Sequence, residues 1–267
     1  MVQSAKPANN NISPLTLILQ AVVLILSLLG ASSTSFADPD KPELREIYNE
    51  SSPEWLQSVG RLDVPGIKYA NGHRVHHREN CSATLVGSPG KRASYIVTAW
   101  HCLEFYRDLS HTITFNLDVS GDEKLILEVR PIIDGGSMNA DWAILELVER
   151  TPHPDQPFGL VLAGSEAGSD AVHSKTLSMA GYSRDPGLGA SGAALTYHAN
   201  CESITQGKYS TSSNCQAYKG ASGGAVVTYS QSGAALFTGV ISEGDSEGTS
   251  TFVPVSNFRS VLNRYIR

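Results

Sequence analysis

Beyond residue 54, short apolar runs rich in Val, Ile, Leu and Thr alternate with clusters of Gly, Pro, Asn, Asp and Ser. Runs of this kind, bounded by turn residues, predict β-strands rather than helices. The pattern places strands at 55–64, 82–87, 94–99, 112–118, 124–133 and 142–147, then at 175–182, 193–198, 224–228, 235–242 and 251–255. Turn signals at Ser88-Pro89-Gly90, Gly135-Gly136 and Asp185-Pro186-Gly187 separate them. The polar stretch 68–80, holding His73, His76 and His77, reads as a solvated loop. No carboxylate or cysteine is expected to complete a metal site there, so no metal is assigned. One helix closes the chain: Ser256 is a good N-cap, and Phe258, Val261, Leu262, Tyr265 and Ile266 form one apolar stripe. Many short strands and a single helix predict an all-β barrel or sandwich.

The first 37 residues have a different texture. Lys6 is their only charge, an apolar run extends from Leu15 to Ala31, and Ser35-Phe36-Ala37 puts small residues where a signal peptidase cuts. Residues 1–37 therefore read as a secretory signal peptide, with a retained membrane anchor as the competing reading because of the run's length. Residues 38–53, charged and without periodicity, read as a linker or short pro-segment, and 54–267 as the folded domain. Export, to the periplasm or beyond the cell, agrees with an even set of cysteines: Cys81, Cys102, Cys201 and Cys215. Three pairings are possible, and Cys81–Cys102 with Cys201–Cys215 is the expected one, each bridge contributing about 3 kcal/mol. No Cys-x-x-Cys is present, so the spacing does not suggest zinc.

Composition then narrows the partners. The 267 residues carry 20 basic and 26 acidic side chains, and this acidic balance excludes nucleic acid as the main partner. A charged fraction of 17% beside a hydrophobic fraction of 41% describes a chain able to bury a core.

Three local patterns carry candidate chemistry. The strand Tyr95-Ile96-Val97-Thr98 runs into Ala99-Trp100-His101-Cys102, placing an imidazole at a strand end. Asp141 opens the apolar run Trp142-Ala143-Ile144-Leu145, where a carboxylate at the rim of a core needs a partner, either a backbone turn or an imidazole N–H. Ser222 lies in Lys219-Gly220-Ala221-Ser222-Gly223-Gly224, whose small residues permit a sharp turn and the close approach of a carbonyl. Together these are the parts of nucleophilic hydrolysis. A serine hydroxyl needs a base, imidazole titrates in the right range, and a buried carboxylate fixes its tautomer.

In the order His101, Asp141, Ser222, with Cys81-Ser82-Ala83-Thr84-Leu85-Val86 ahead of them, the chain resembles the chymotrypsin-like (trypsin-fold) serine peptidases from about Trp55 to Arg267. The same system is the general template for this triad. The resemblance implies two six-stranded antiparallel β-barrels with the active site in the cleft between them, breaking near 151–157. It implies a serine-type endopeptidase in which His101 is the general base, Asp141 orients it and Ser222 attacks. The amides of Gly220 and Ser222 would form the oxyanion hole. It further implies that Gln216, Ala217, Tyr218, Lys219, Ser242, Glu243 and Gly244 bind substrate. Protein or peptide is the implied substrate, with no cofactor or metal, and a monomer with no stable membrane insertion after signal cleavage is expected. A catalytically silent binding module on the same fold is the alternative.

The chain also departs from the family pattern. Many animal members carry aspartate before the nucleophilic serine, to receive the amino terminus freed by activation; here it is Ala221. With few disulfides and an export signal, the pattern is nearer the bacterial secreted branch. Trypsin-like members hold aspartate where this chain has Gln216, so a preference for Arg or Lys has no support from that position. Glutamate-specific members tend to have histidine where this chain has Ile241. Glu243 and Asp245 offer negative charge at the cleft rim, and the residue preference stays open.

Overall fold

A computed structural model describes residues 42–107, 111–120, 123–149, 156–164, 175–245 and 248–266. The expected signal peptide, the first residues of the 38–53 segment and most of the expected break at 151–157 lie outside the described residues.

The strands are β1 (Glu46–Ile47), β2 (Val59–Ala70), β3 (His73–Val86), β4 (Tyr95–Thr98), β5 (Ile113–Ser120), β6 (Glu123–Asp134) and β7 (Ala143–Leu147). After them come β8 (Val161–Leu162), β9 (Thr176–Gly181), β10 (Thr196–Gln206), β11 (Thr211–Ser213), β12 (Ala225–Tyr229), β13 (Ala235–Gly244) and β14 (Ser250–Pro254). The first six-stranded barrel closes in the order β2-β3-β4-β7-β6-β5. The second runs β10-β11-β14-β13-β12-β9, and pairing of β9 with β10 closes it. Ladders within both barrels are antiparallel. The expected fold of two six-stranded barrels and a C-terminal helix is the one observed.

Side-chain alternation sorts the described residues into three main apolar regions, beside a small cluster of Ala163 and Leu236. Along β2, Leu62 and Val64 point inward while Arg61 and Asp63 are only half-buried, as a period of two requires. Leu62, Leu85, Ile96, Phe115 and Leu145 fill the first barrel. Leu177, Met179, Val226, Ile241 and Phe252 fill the second. The third region lies between the barrels, where Val59, Val97 and Ile144 meet Tyr182, Ala225, Phe237 and Val240. Strand β3 serves two of these at once, so Cys81 to Val86 are all buried. Each fully buried Leu or Phe contributes about 1.5–3 kcal/mol through removal from water.

Several local expectations need correction. Trp55 belongs to a 3-10 turn, Glu54–Ser58, and strand β2 starts only at Val59. The stretch read as a loop at 68–80 is the outer half of the β2–β3 hairpin, paired from Ala70↔His73 to Asp63↔Asn80. Its turn is Asn71-Gly72, with φ of 51° and 78°, the left-handed pair that a tight hairpin demands. That Asn-Gly dipeptide was the available signal. Strand pleating sends His76 and His77 to opposite faces, and His77 Nε2 meets Glu79 Oε2 at 2.7 Å. A carboxylate is therefore nearby after all, and it is paired with one histidine instead of completing a cluster of three. At the C-terminus, Ser256 sits inside a 3-10 turn, Val255–Asn257, and makes no cap; the α-helix α1 covers only Arg259–Leu262. The apolar stripe is nevertheless used: Phe258 and Leu262 are buried, and Phe258 stacks on Trp142 with ring centroids 5.1 Å apart.

Candidate active site

Strand β4 ends at Thr98, and a 3-10 turn, Trp100–Leu103, projects His101 from the strand end. The disulfide Cys81–Cys102 fastens this turn to β3. Asp141 precedes β7, next to Trp142, and is fully buried. Its oxygens accept from the His101 backbone N–H (3.0 Å) and the Ser242 hydroxyl, and lie 2.9 and 3.1 Å from His101 Nδ1. The partner of the rim carboxylate is thus imidazole, main chain and hydroxyl together. An ionised carboxylate only accepts, so Nδ1 carries the proton and Nε2 keeps its lone pair. Burial alone would lower the imidazole pKa, but the Asp141 hydrogen bond and charge, with Glu79 and Glu243 behind, raise it above its ordinary value.

Ser222 comes from the other barrel, on the turn before β12. The N–H groups of Ala221, Gly223 and Gly224 bond to Tyr218 O, Ile241 O and Ala221 O. Among the described residues, no acceptor is assigned to the N–H of Gly220 or Ser222. Gly220 has φ of 99°, open to glycine at little cost, while its carbonyl accepts from Ser82 Oγ at 2.9 Å. At Gly223, φ is 85°, and a Cβ would run into Ser82 O and Thr98 Oγ1, so the turn presses directly on the first barrel. The Ser222 hydroxyl donates to Ser242 O at 3.1 Å.

Ser82, within the Cys81–Val86 motif, forms the seam of the two barrels. Fully buried, it accepts from the Tyr182 N–H (2.8 Å), donates to Gly220 O and, through its own N–H, bonds Ser222 O at 2.8 Å. Its one sequence signal is a hydroxyl in a strand that is otherwise mostly apolar.

A cleft of about 570 Å³ holds His101 and Ser222 together with Lys219, Ser242, Glu243 and Gly244; Asp245 also lines it. Four of the seven residues expected to bind substrate are therefore at the cleft. The other three are not. Gln216 is buried, its Oε1 accepting from the Leu44 N–H (2.7 Å) and its Nε2 donating to Pro42 O (2.9 Å). It lines a separate cavity of about 440 Å³ with His198. Ala217 is buried, and its carbonyl fills the place a Cβ on Gly244 would take, so the two chain segments touch there. Tyr218 lies beneath the Arg45 guanidinium at 4.0 Å. His198 Nδ1 accepts from the Gln216 N–H at 2.9 Å, and burial lowers its pKa. That imidazole is accordingly neutral, with its proton on Nε2. The second disulfide, Cys201–Cys215, ties β10 to the segment leading into Gln216, and both bridges join the expected partners.

No curated protein matches the chain. The family described as Trypsin has a model that matches residues 67–262. That span contains His101, Asp141 and Ser222 and most of both barrels, and the chain belongs to the trypsin family of serine-type peptidases.

Proposed function

We propose that the protein is an exported endopeptidase that hydrolyses peptide bonds through an acyl-enzyme on Ser222. The observation that carries this reading is the His101–Asp141 pair opening onto the same cleft as Ser222. Asp141 holds the imidazole in the tautomer whose Nε2 can take a proton. The Ser222 hydroxyl turns from Ser242 O toward that nitrogen, transfers its proton and attacks the substrate carbonyl. Negative charge then develops on the carbonyl oxygen, where the N–H groups of Gly220 and Ser222 receive it. Collapse of the tetrahedral species breaks the C–N bond as His101 returns the proton to the leaving amine. Water, deprotonated by the same imidazole, releases the acyl group and regenerates the serine.

Export is part of the proposal. Two disulfides fit an oxidising compartment, and no helix among the described residues is long and apolar enough to cross a membrane. The apolar run before Ala37 would be the signal, removed on the way out.

Digestion of a peptide library by the purified protein, beside its Ser222→Ala variant, tests the reading. Cleavage by the parent alone is expected and would reveal the residue preference. Equal cleavage by both would contradict a serine nucleophile, and no cleavage by either would favour a silent binding module.

A further inference from the structure

Ala221 brings no charge to the nucleophile turn, yet a charge is buried close behind it. Arg45 is only 5% exposed, although a guanidinium is costly to take out of water unless fully paired. Four hydrogen bonds to two carboxylates pair it. Nε and Nη2 bond both oxygens of Glu43, Nη1 bonds Asp185 Oδ1 at 2.7 Å, and Nη2 reaches Asp185 Oδ2 at 3.1 Å. The flat face of the guanidinium covers the ring of Tyr218 at 4.0 Å. Burial works against the charge, but these hydrogen bonds outweigh it and raise the pKa, so Arg45 stays ionised.

Two of these partners, Asp185 and Tyr218, lead to the catalytic turn. Asp185 Oδ2 accepts from the Gly189 N–H and its carbonyl from the Ser191 N–H, which braces the 185–191 loop. The neighbouring Arg184 N–H donates to Lys219 O at 2.6 Å. Tyr218 O accepts from the Ala221 N–H, the bond that closes the turn carrying Gly220, directly before the 221–224 turn of Ser222. Around Arg45, the segment 42–48 is strapped to the second barrel. Pro42 and Leu44 clasp the Gln216 amide, Glu46 and Ile47 pair with Tyr197 and Thr196, and the Tyr48 N–H donates to Leu195 O. A buried ion cluster adds little net stability over an apolar filler of the same shape, but its fixed donors set register and orientation. That is the property a nucleophile turn needs.

We propose that Arg45 is a positioning residue for the nucleophile turn, and that the 42–48 strap does internally what a freed amino terminus does elsewhere in the family. Locked between Glu43, Asp185 and Tyr218, the strap holds residues 216–220 so that the Gly220 and Ser222 amides converge. Proteolysis just after Arg45 would then inactivate this enzyme, and an added amino-terminal tag would leave it active. The inference rests on the acyl-enzyme reading of Ser222.

The test is the rate of fluorophosphonate labelling and the kcat and KM for a peptide, per folded molecule, in the parent, Arg45→Gln, Arg45→Lys and Tyr218→Leu. Arg45→Gln should lower the labelling rate and kcat roughly 10- to 100-fold, as expected for a sub-ångström to ångström misplacement, with a smaller change in KM. Arg45→Lys, which restores the charge without the fork, should recover part of the loss. Tyr218→Leu keeps the ion cluster but removes the ring through which the guanidinium meets residue 218, and should slow labelling as well; it also serves should Arg45→Gln not fold. A short Gly-Ser tag ahead of the strap should leave kcat within about two-fold, since no free amino group is needed in this arrangement. Labelling rate and kcat at the parental value in Arg45→Gln or Tyr218→Leu, with only Tm lowered, would overturn the proposal, as would loss of turnover on tagging. A parent that is not labelled at Ser222 would instead refute the acyl-enzyme reading itself.

Discussion

The two barrels supply the site in different ways. The first barrel delivers His101 and Asp141 from strand ends, with a disulfide and with bonds from the His101 main chain and imidazole to the Asp141 carboxylate, to which the Ser242 hydroxyl of β13 adds one bond from across the seam. The second delivers Ser222 on a turn with two left-handed glycines, held by groups distant in the chain: Ser82 from the first barrel and the 42–48 strap. A base that must keep one tautomer is best set on rigid strand ends. A nucleophile turn that must aim two amides is set by clamps from both sides. The same division explains why the seam between the barrels carries polar groups such as Ser82 inside an otherwise apolar contact.

Four measurements sharpen this contrast, taken from the largest expected effect down. Asp141→Asn removes the charge and one of the two acceptor oxygens that hold the imidazole, and disturbs the bond from Ser242 across the seam; kcat should fall by about 10⁴-fold. A loss of under ten-fold would mean that the first barrel does not depend on that tautomer. Separate removal of the bridges by Cys81→Ala/Cys102→Ala and Cys201→Ala/Cys215→Ala should each cost about 3 kcal/mol in denaturant titrations. Only the first pair anchors the turn bearing His101, so kcat per folded molecule should fall more there.

Ser82→Ala strips the Gly220 carbonyl and the Tyr182 N–H of one partner each, and should lower stability by about 1–3 kcal/mol. If the seam positions the turn, the labelling rate should also drop; an unchanged rate would confine Ser82 to packing.

The smallest effect concerns pH. His101 must be neutral to act as a base, and its pKa is raised, so activity should grow with pH through a midpoint above the ordinary value of about 6.5. Removing the Asp141 charge leaves burial as the dominant influence, and the midpoint in Asp141→Asn should move down. The imidazole resonance followed by NMR would report both. In linkage terms, the raised pKa adds stability below the unfolded-state value, and this contribution is lost as pH rises through the folded pKa.

What was legible in the chain follows the same division. Strands β4 and β7, His101 and Asp141 lie in local patterns, each readable from a few neighbouring residues. The glycines around Ser222 also declared a turn. The hairpin at Asn71-Gly72 was readable but was masked by the polarity of its strands, because both faces of its outer half meet solvent and no apolar alternation marks it. Arg45 and Gln216 were illegible for a deeper reason. Arg45 meets Asp185 across 140 positions and Gln216 meets Pro42 across 174, and nothing local distinguishes a buried, clasped side chain from a solvated one. Gln216 was assigned to the cleft by correspondence with a family position, whereas in this chain the strap occupies its amide.

The most direct test of the account is intact-mass and peptide-mapping analysis after exposure to a fluorophosphonate, at a pH above the His101 midpoint. One adduct per molecule, on Ser222, is expected, formed quickly in the parent and much more slowly in Asp141→Asn. An adduct on another residue, or labelling of Ser222 at equal rates in both, would contradict the claim that the His101–Asp141 pair activates this serine.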